Sequence, residues 1–242
     1  MRIGKSAALF GCAVLAATLA ASFIVKATLF QRTPSSPGCV AVVGASIATG
    51  YRAEPGADWP HLVRQHLERT RTPLCLENRS IGATRLLHTS PGLPSYLDRE
   101  AAVLDIPNVR EIVLTDLIND IQALPHQYDP QVIIAGIRRF VAIAHHRGVR
   151  VLATTITAYG GYHYTDDQRF TADGERCRRT VNAALRQGQL VDGYIDFDQE
   201  LADPEDTTRL RPQYDSGDHL HPSAEGQRAM AELGIAALTP GP

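Results

Sequence analysis

Lysine is almost missing from this chain. Lys5 and Lys26 are the only two among 242 residues. Genome base composition is a simpler reading of that absence than function. The other cationic residues form no basic tract. Of the 24 basic residues, Arg2, Lys5, Lys26 and Arg32 lie at or before residue 32, whereas all 26 acidic residues lie beyond it. The part after residue 32 therefore sets 20 basic against 26 acidic residues, a net charge of -6. No nucleic-acid partner is expected on that balance. Cysteine is scarce as well. Cys12, Cys39, Cys75 and Cys177 show no CxxC and no Cys/His spacing that would hold zinc. There are no internal repeats and no low-complexity segment. What remains is ordinary globular composition, 44% hydrophobic and 21% charged, enough for one α/β domain and short for two.

One long apolar run stands out. Ala7 to Val25 carries no charge and is flanked by Lys5 and Lys26. It is long enough to span a bilayer or to form the core of a signal peptide. Thr18-Leu19-Ala20 is a fair match to a cleavage site, and Leu9-Phe10-Gly11-Cys12 offers a weaker lipoprotein reading. Charges flank both ends, so the positive-inside rule does not settle the orientation of an anchor; export of the rest of the chain is the expected reading. Gln31 to Gly38, QRTPSSPG, reads as a linker. The expected organisation is an N-terminal membrane anchor or signal peptide over residues 1–32, a linker over 33–38 and one domain over 39–242. An exported domain permits a disulfide. Cys39 and Cys75 can pair if their strands are neighbours; the alternative is that Cys39, Cys75 and Cys177 are small buried residues.

Beyond the linker, strand-like and helix-like segments alternate. The predicted strands are Val40–Val43, Leu74–Ser80, Glu111–Leu114, Val149–Thr155 and Tyr194–Phe197. The predicted helices are Asp58–Glu68, Tyr96–Leu104, Val132–His146, Ala172–Leu185 and Pro222–Leu238, the last with proline in its first turn. Such alternation predicts an α/β fold with a parallel sheet covered on both faces and function at the carboxyl ends of the strands.

The chemistry-bearing residues sit at those ends. Gly44-Ala45-Ser46 follows the first strand. A small-residue turn there exposes a hydroxyl and frees backbone N–H groups, although Ala48 breaks the Gly-x-Ser-x-Gly elbow pattern. Asn119 and Asp120 follow the third strand, where a side-chain amide can donate to an oxyanion. Near the C-terminus runs Ser216-Gly217-Asp218-His219-Leu220-His221-Pro222. Asp218 is spaced to meet Nδ1 of His221 and leave Nε2 for a serine. A metal reading of Asp218, His219 and His221 needs further ligands, and nothing in the spacing recruits His126 or His163. Each motif alone also reads as a cap or a turn.

Together these blocks resemble the SGNH (GDSL-type) hydrolases, named for Ser, Gly, Asn and His in four blocks in this chain order. The matching segments are Gly44–Ile47, Asn78–Leu87, Ile112–Ile121 and Asp218–Pro222. Flanking text resembles one esterase branch: Asp58-Trp59-Pro60, Ala158–Tyr164, Val191-Asp192-Gly193, Asp196-Phe197-Asp198 and Tyr214-Asp215-Ser216-Gly217. The similarity spans about residues 39 to 238. It implies a three-layer α/β/α sandwich with a flavodoxin-like five-stranded parallel sheet of order 2-1-3-4-5. It implies Ser46 as nucleophile, His221 as base and Asp218 as orienter. The oxyanion hole would use N–H groups of Ser46 and of Gly82 or Ala83, with the Asn119 side chain. No metal or organic cofactor is implied.

Three departures go with the match. Ala45 stands where the family usually has aspartate. Leu117 replaces a glycine and is expected to bend the strand end or narrow the pocket. An ungapped match of Asn78, Ile81 and Arg85 places Ala83, not Gly82, at the family glycine. The expected protein is a serine esterase acting on carboxylic esters with short acyl groups at the cell envelope, its partners a small-molecule, glycan or lipid ester and the membrane. Ala158–Tyr164 should line the rim of its site. Two rivals follow from other features: a silent envelope protein that binds a glycan or lipid, from the departures, and a metal-dependent hydrolase using His219 and His221.

Overall fold

Strand β1, Gly38–Val43, is buried along its whole length. Successive side chains of a strand point to opposite faces, so a strand covered on both sides is apolar throughout. Ala41 and Val43 enter one core cluster, Val40 and Val42 the other. In the computed structural model, which describes residues 38–239, this strand is an interior strand of a parallel sheet. It pairs with β2 (Leu74–Asn78) on one side and β3 (Val109–Leu114) on the other. Beyond β3 lie β4 (Arg150–Thr154) and β7 (Gly193–Ile195). The order is β2-β1-β3-β4-β7, which is the expected 2-1-3-4-5 order. The label of its last strand shifts because a small antiparallel hairpin intervenes, β5 (His163–Thr165) and β6 (Gln168–Arg169).

Helices cover both faces. The core cluster of Ala41, Ile112, Leu114 and Val151 includes Tyr96 and Val103 of α2 (Tyr96–Leu104), Ile137 and Phe140 of α4 (Pro130–His146), and Val181 and Leu185 of α5 (Ala172–Arg186). The opposite cluster joins Val42, Val113, Leu152 and Ile195 to Trp59 and Val63 of α1 (Trp59–Arg69), Phe197 of α6 (Phe197–Leu201) and Met230 of α7 (Ala224–Leu238). The helices begin where side-chain acceptors meet their free N–H groups: Asp58 before α1, Ser95 in a capping box with Asp98, Asp129 before α4, Thr171 before α5. The last helix corrects an expectation. Ser223 is its N-cap, so Pro222 lies ahead of the helix instead of in its first turn. Pro222 instead forms an isolated bridge with Asp215.

Cys39 and Cys75 face each other across β1 and β2 and form a disulfide, with Cα atoms 4.5 Å apart. Cys177 is a buried free thiol. The anchor or signal segment and most of the linker lie outside the described residues. Within the described residues no helix is long and apolar enough to cross a membrane.

One buried group works against stability. Glu100 on α2 is 1% exposed, and among the described residues neither carboxyl oxygen has a hydrogen-bond partner. Burial pushes its pKa from 4.5 up to about 8, against a smaller opposing effect of Arg139. The folded value lies above the unfolded one, so folding favours the protonated form. Stability is full below the unfolded pKa and is lost as pH rises through the folded value. Glu100→Gln should therefore raise the melting temperature at pH 9 by roughly 5–10 °C and change it little at pH 5. Thermal denaturation at the two pH values checks this.

Candidate active site

The turn after β1 starts at a position that admits no side chain. A Cβ on Gly44 would lie 2.5 Å from Cγ2 of Thr115 on the loop after β3. The next residues form a tight turn, with Thr49 N–H donating to the Ala45 carbonyl and Tyr51 N–H to that of Ser46. Gln227 of α7, fully buried, accepts from Trp59 N–H at 2.9 Å and donates to the Ile47 carbonyl at 3.0 Å. It ties the turn to the two helices behind it. Ser46 is thereby held half-exposed at the carboxyl end of the sheet.

His221 arrives from the loop before α7. Its Nε2 lies 2.9 Å from Ser46 Oγ, across a sequence separation of 175. Its Nδ1 lies 2.7 Å from Asp218 Oδ2. A carboxylate only accepts, so Nδ1 carries the proton, and Nε2 is left to accept from the serine hydroxyl. Asp218 is itself fixed by N–H donors from Leu220 (3.1 Å) and His221 (2.9 Å). Burial raises its pKa, but the His221 ring, the His221 N–H and the histidine's charge outweigh burial and hold it well below the carboxylate range. Arg52 Nε stands 3.4 Å from the same carboxylate. The Tyr51 ring packs edge-on to His221 with centroids 4.7 Å apart.

Asn119 opens the short helix α3, Asn119–Gln122, a few residues beyond the end of β3. Its amide is oriented on both sides. Gln122 Nε2 donates to its oxygen at 2.9 Å, and its own nitrogen donates one hydrogen to the Thr84 carbonyl at 2.9 Å. Among the described residues, nothing accepts the second amide hydrogen. Asp120, fully buried, accepts from Leu86 and Leu87 N–H and so pins the loop that carries Gly82 and Ala83. Among the described residues, nothing accepts from the backbone N–H of Ser46, Gly82 or Ala83.

Ser46, Gly82, Ala83, Asn119, Asp218 and His221 all line one cavity of about 760 Å³. Tyr51, Arg52, Tyr162, His163, Tyr164 and His219 share its wall. The expected rim segment divides. Gly161 to Tyr164 reach the cavity, while Ala158 and Tyr159 are fully buried beneath it. His219 stands apart from His221 and pairs with Asp215, Nδ1 to Oδ2 at 2.5 Å. No group of three or more His, Cys, Asp or Glu among the described residues is placed to hold a metal ion.

Two departures gain a physical account here. Ala83 has φ 61°, whereas Gly82 is outside the left-handed region. The position that favours glycine is therefore residue 83, as the ungapped match requires. Leu117 is 1% exposed and packs into the core rather than lining the cavity. Ala83→Gly should fold at least as stably as the native chain. Ala83→Val, with a β-branched side chain at positive φ, should lose about 1–2 kcal/mol or more. Denaturant midpoints of the two variants measure the difference.

Sequence reasoning missed Gln122 and Gln227. Each acts across the fold or through one local contact, and neither falls in a recognisable pattern.

Comparison with known proteins agrees with this architecture. The family model described as the GDSL-like Lipase/Acylhydrolase family matches residues 42–229. Among solved structures, the chain is similar to an aryl esterase of M. smegmatis at 15% identity, covering 83% of this chain and 98% of that one with a TM-score of 0.65. It is similar to Est24, a carbohydrate acetylesterase from Sinorhizobium meliloti, at 14% identity, with coverage of 84% and 98% and a TM-score of 0.63. The psychrotrophic esterase EstA from Pseudoalteromonas sp. follows at 14% identity, coverage of 84% and 97%, and a TM-score of 0.60. No curated protein sequence matches. With a family model matched from the end of the first strand into the last helix, the chain belongs to the GDSL-like lipase/acylhydrolase family.

Proposed function

We propose that the protein is a serine esterase of the cell envelope that hydrolyses carboxylic esters with short acyl groups. The observation that carries this reading is the unbroken chain from Ser46 Oγ through His221 to Asp218, at 2.9 and 2.7 Å, in the wall of an open cavity. Ser46 Oγ attacks the ester carbonyl as its proton passes to Nε2 of His221. The oxyanion accepts from the N–H groups of Ser46 and Ala83 or Gly82, and from the free hydrogen of the Asn119 amide. His221 then gives its proton to the departing alcohol. A water molecule, deprotonated by the same nitrogen, attacks the acyl-serine and releases the acid.

The short-acyl preference rests on the Ala83 methyl beside the proposed oxyanion site and on the carbohydrate acetylesterase among the structural neighbours. Tyrosines 51, 162 and 164 offer flat faces for a glycan or lipid alcohol. The envelope placement rests on the apolar run Ala7 to Val25 and on a disulfide, which suits an oxidising compartment. The silent binding protein draws no support from the geometry, because none of the three departures separates Ser46, His221 and Asp218.

The test is turnover by the full-length chain of p-nitrophenyl acetate beside the butyrate and decanoate esters. The reading predicts turnover that is fastest on acetate and indifferent to a chelator. A folded protein that hydrolyses none of them overturns it, and a preference for decanoate overturns the short-acyl part.

A further inference from the structure

The turn that presents Ser46 is held by a carboxylate from outside its own segment. Asp116 lies on the loop after β3, more than sixty residues along the chain. Its Oδ2 accepts from Ala45 N–H at 2.7 Å and from Ala48 N–H at 2.8 Å. Its Oδ1 accepts from the Thr115 hydroxyl at 3.1 Å. Of the four consecutive N–H groups from Ala45 to Ala48, the outer two are thus taken by one oxygen. The inner two, Ser46 and Ile47, donate to nothing among the described residues. Ser46 is the one of these that lines the cavity.

Asp116 is placed there at a cost. Its φ is 57°, in the left-handed region, where an aspartate is tolerated but not favoured. It is 6% exposed, and its carbonyl is tied by the Tyr96 hydroxyl at 3.2 Å. Such strain persists only where surrounding structure over-determines it, and it concentrates at functional sites. Four of the six non-glycine residues at positive φ among the described residues lie at this site: Arg52, Ala83, Asp116 and His219.

We propose that Asp116 is the positioning residue of the nucleophile turn, its carboxylate clamping Ala45 and Ala48 so that the Ser46 N–H is left free and aimed at the reacting oxygen. The aspartate that the resemblance expects at position 45 is thereby replaced, in effect, by one that reaches in from the neighbouring strand end. This inference rests on the esterase reading. It goes beyond that reading by assigning the rigidity of the turn to one carboxylate.

Two substitutions separate clamp from strain. Asp116→Asn keeps an acceptor oxygen at a position where asparagine also tolerates positive φ. Asp116→Gly relieves the backbone and removes the clamp. Both are made in the full-length chain beside Ser46→Ala, with folding checked by circular dichroism and thermal melts, and kcat and KM measured on p-nitrophenyl acetate. The expected result is a fall in kcat of about 10²-fold for Asp116→Gly with KM within about threefold. Asp116→Asn should recover most of that loss. A folded Asp116→Gly with kcat within twofold of the native value overturns the inference alone, as does a change confined to KM. Native turnover that Ser46→Ala leaves unchanged overturns the esterase reading, and this inference with it.

Discussion

Ser46→Ala is expected to lower kcat on p-nitrophenyl acetate by about 10⁴-fold or more while the protein stays folded. The size of the loss follows from the division of labour at the site. In the proposed mechanism the hydroxyl oxygen is the atom that forms the new bond, and the other serine hydroxyl in the hydrogen-bonded chain, that of Ser216, donates to Asp218 Oδ1 at 3.2 Å and not to His221. What remains in the variant is binding and the free donors near Gly82, Ala83 and Asn119, which alone leave only a small residual rate. Retained folding is expected because the Ser46 hydroxyl bonds to nothing in the described structure except His221, whose ring is fixed independently by Asp218. His221→Ala should cost a similar factor. The double variant should fall no further, since the two residues act as one unit. Paired kcat values of the three variants decide this.

Asp218→Asn is expected to lower kcat by about 10³–10⁴-fold with little change in KM. In the proposed mechanism the carboxylate selects the proton's place on the imidazole. An amide nitrogen facing Nδ1 would donate to it, moving the ring proton to Nε2, where it blocks the acceptance of a proton from Ser46. The aspartate carboxyl is held well below its ordinary range, so it stays ionised through neutral and mildly acid pH. Its contribution to stability is full above the unfolded carboxyl pKa and is lost only as pH falls toward the folded value. Loss of activity between pH 5 and 7 in the native protein therefore does not come from protonation of Asp218. A kcat–pH profile of the native chain beside Asp218→Asn tests both statements.

The layered fold was legible because β1, β3, β4 and the long helices announce themselves through their apolar runs and stripes. Val40 to Val43 and Ile112 to Leu114 can only be packed from both sides, and the apolar stripe of α4 marks the one face it turns to the sheet. Strand order came from the family resemblance, not from periodicity, since neighbours in a parallel sheet leave no mark on one another's sequence. The disulfide shows the same limit. Cys39 and Cys75 can be paired only when β1 and β2 are known to be adjacent. The hairpin of His163–Arg169 escaped notice because its strands are short and mostly exposed, with no apolar alternation. At the site, Ser46, Asn119, Asp218 and His221 were readable as a constellation. Asp116 was not. A lone carboxylate one residue past Thr115 looks like any strand-ending turn until the fold brings the N–H groups of Ala45 and Ala48 to it. The choice between Gly82 and Ala83 needed a backbone angle, which no side-chain pattern encodes.

The central claim is that Ser46 is a nucleophile activated by His221. The most direct measurement is the mass of the full-length protein after reaction with a p-nitrophenyl alkylphosphonate, followed by peptide mapping. The account predicts one adduct per chain, on Ser46, formed with release of nitrophenol and abolished in Ser46→Ala. It also predicts that His221→Ala reacts far more slowly. A folded native chain that takes up no phosphonate, or takes it up elsewhere, would contradict the account.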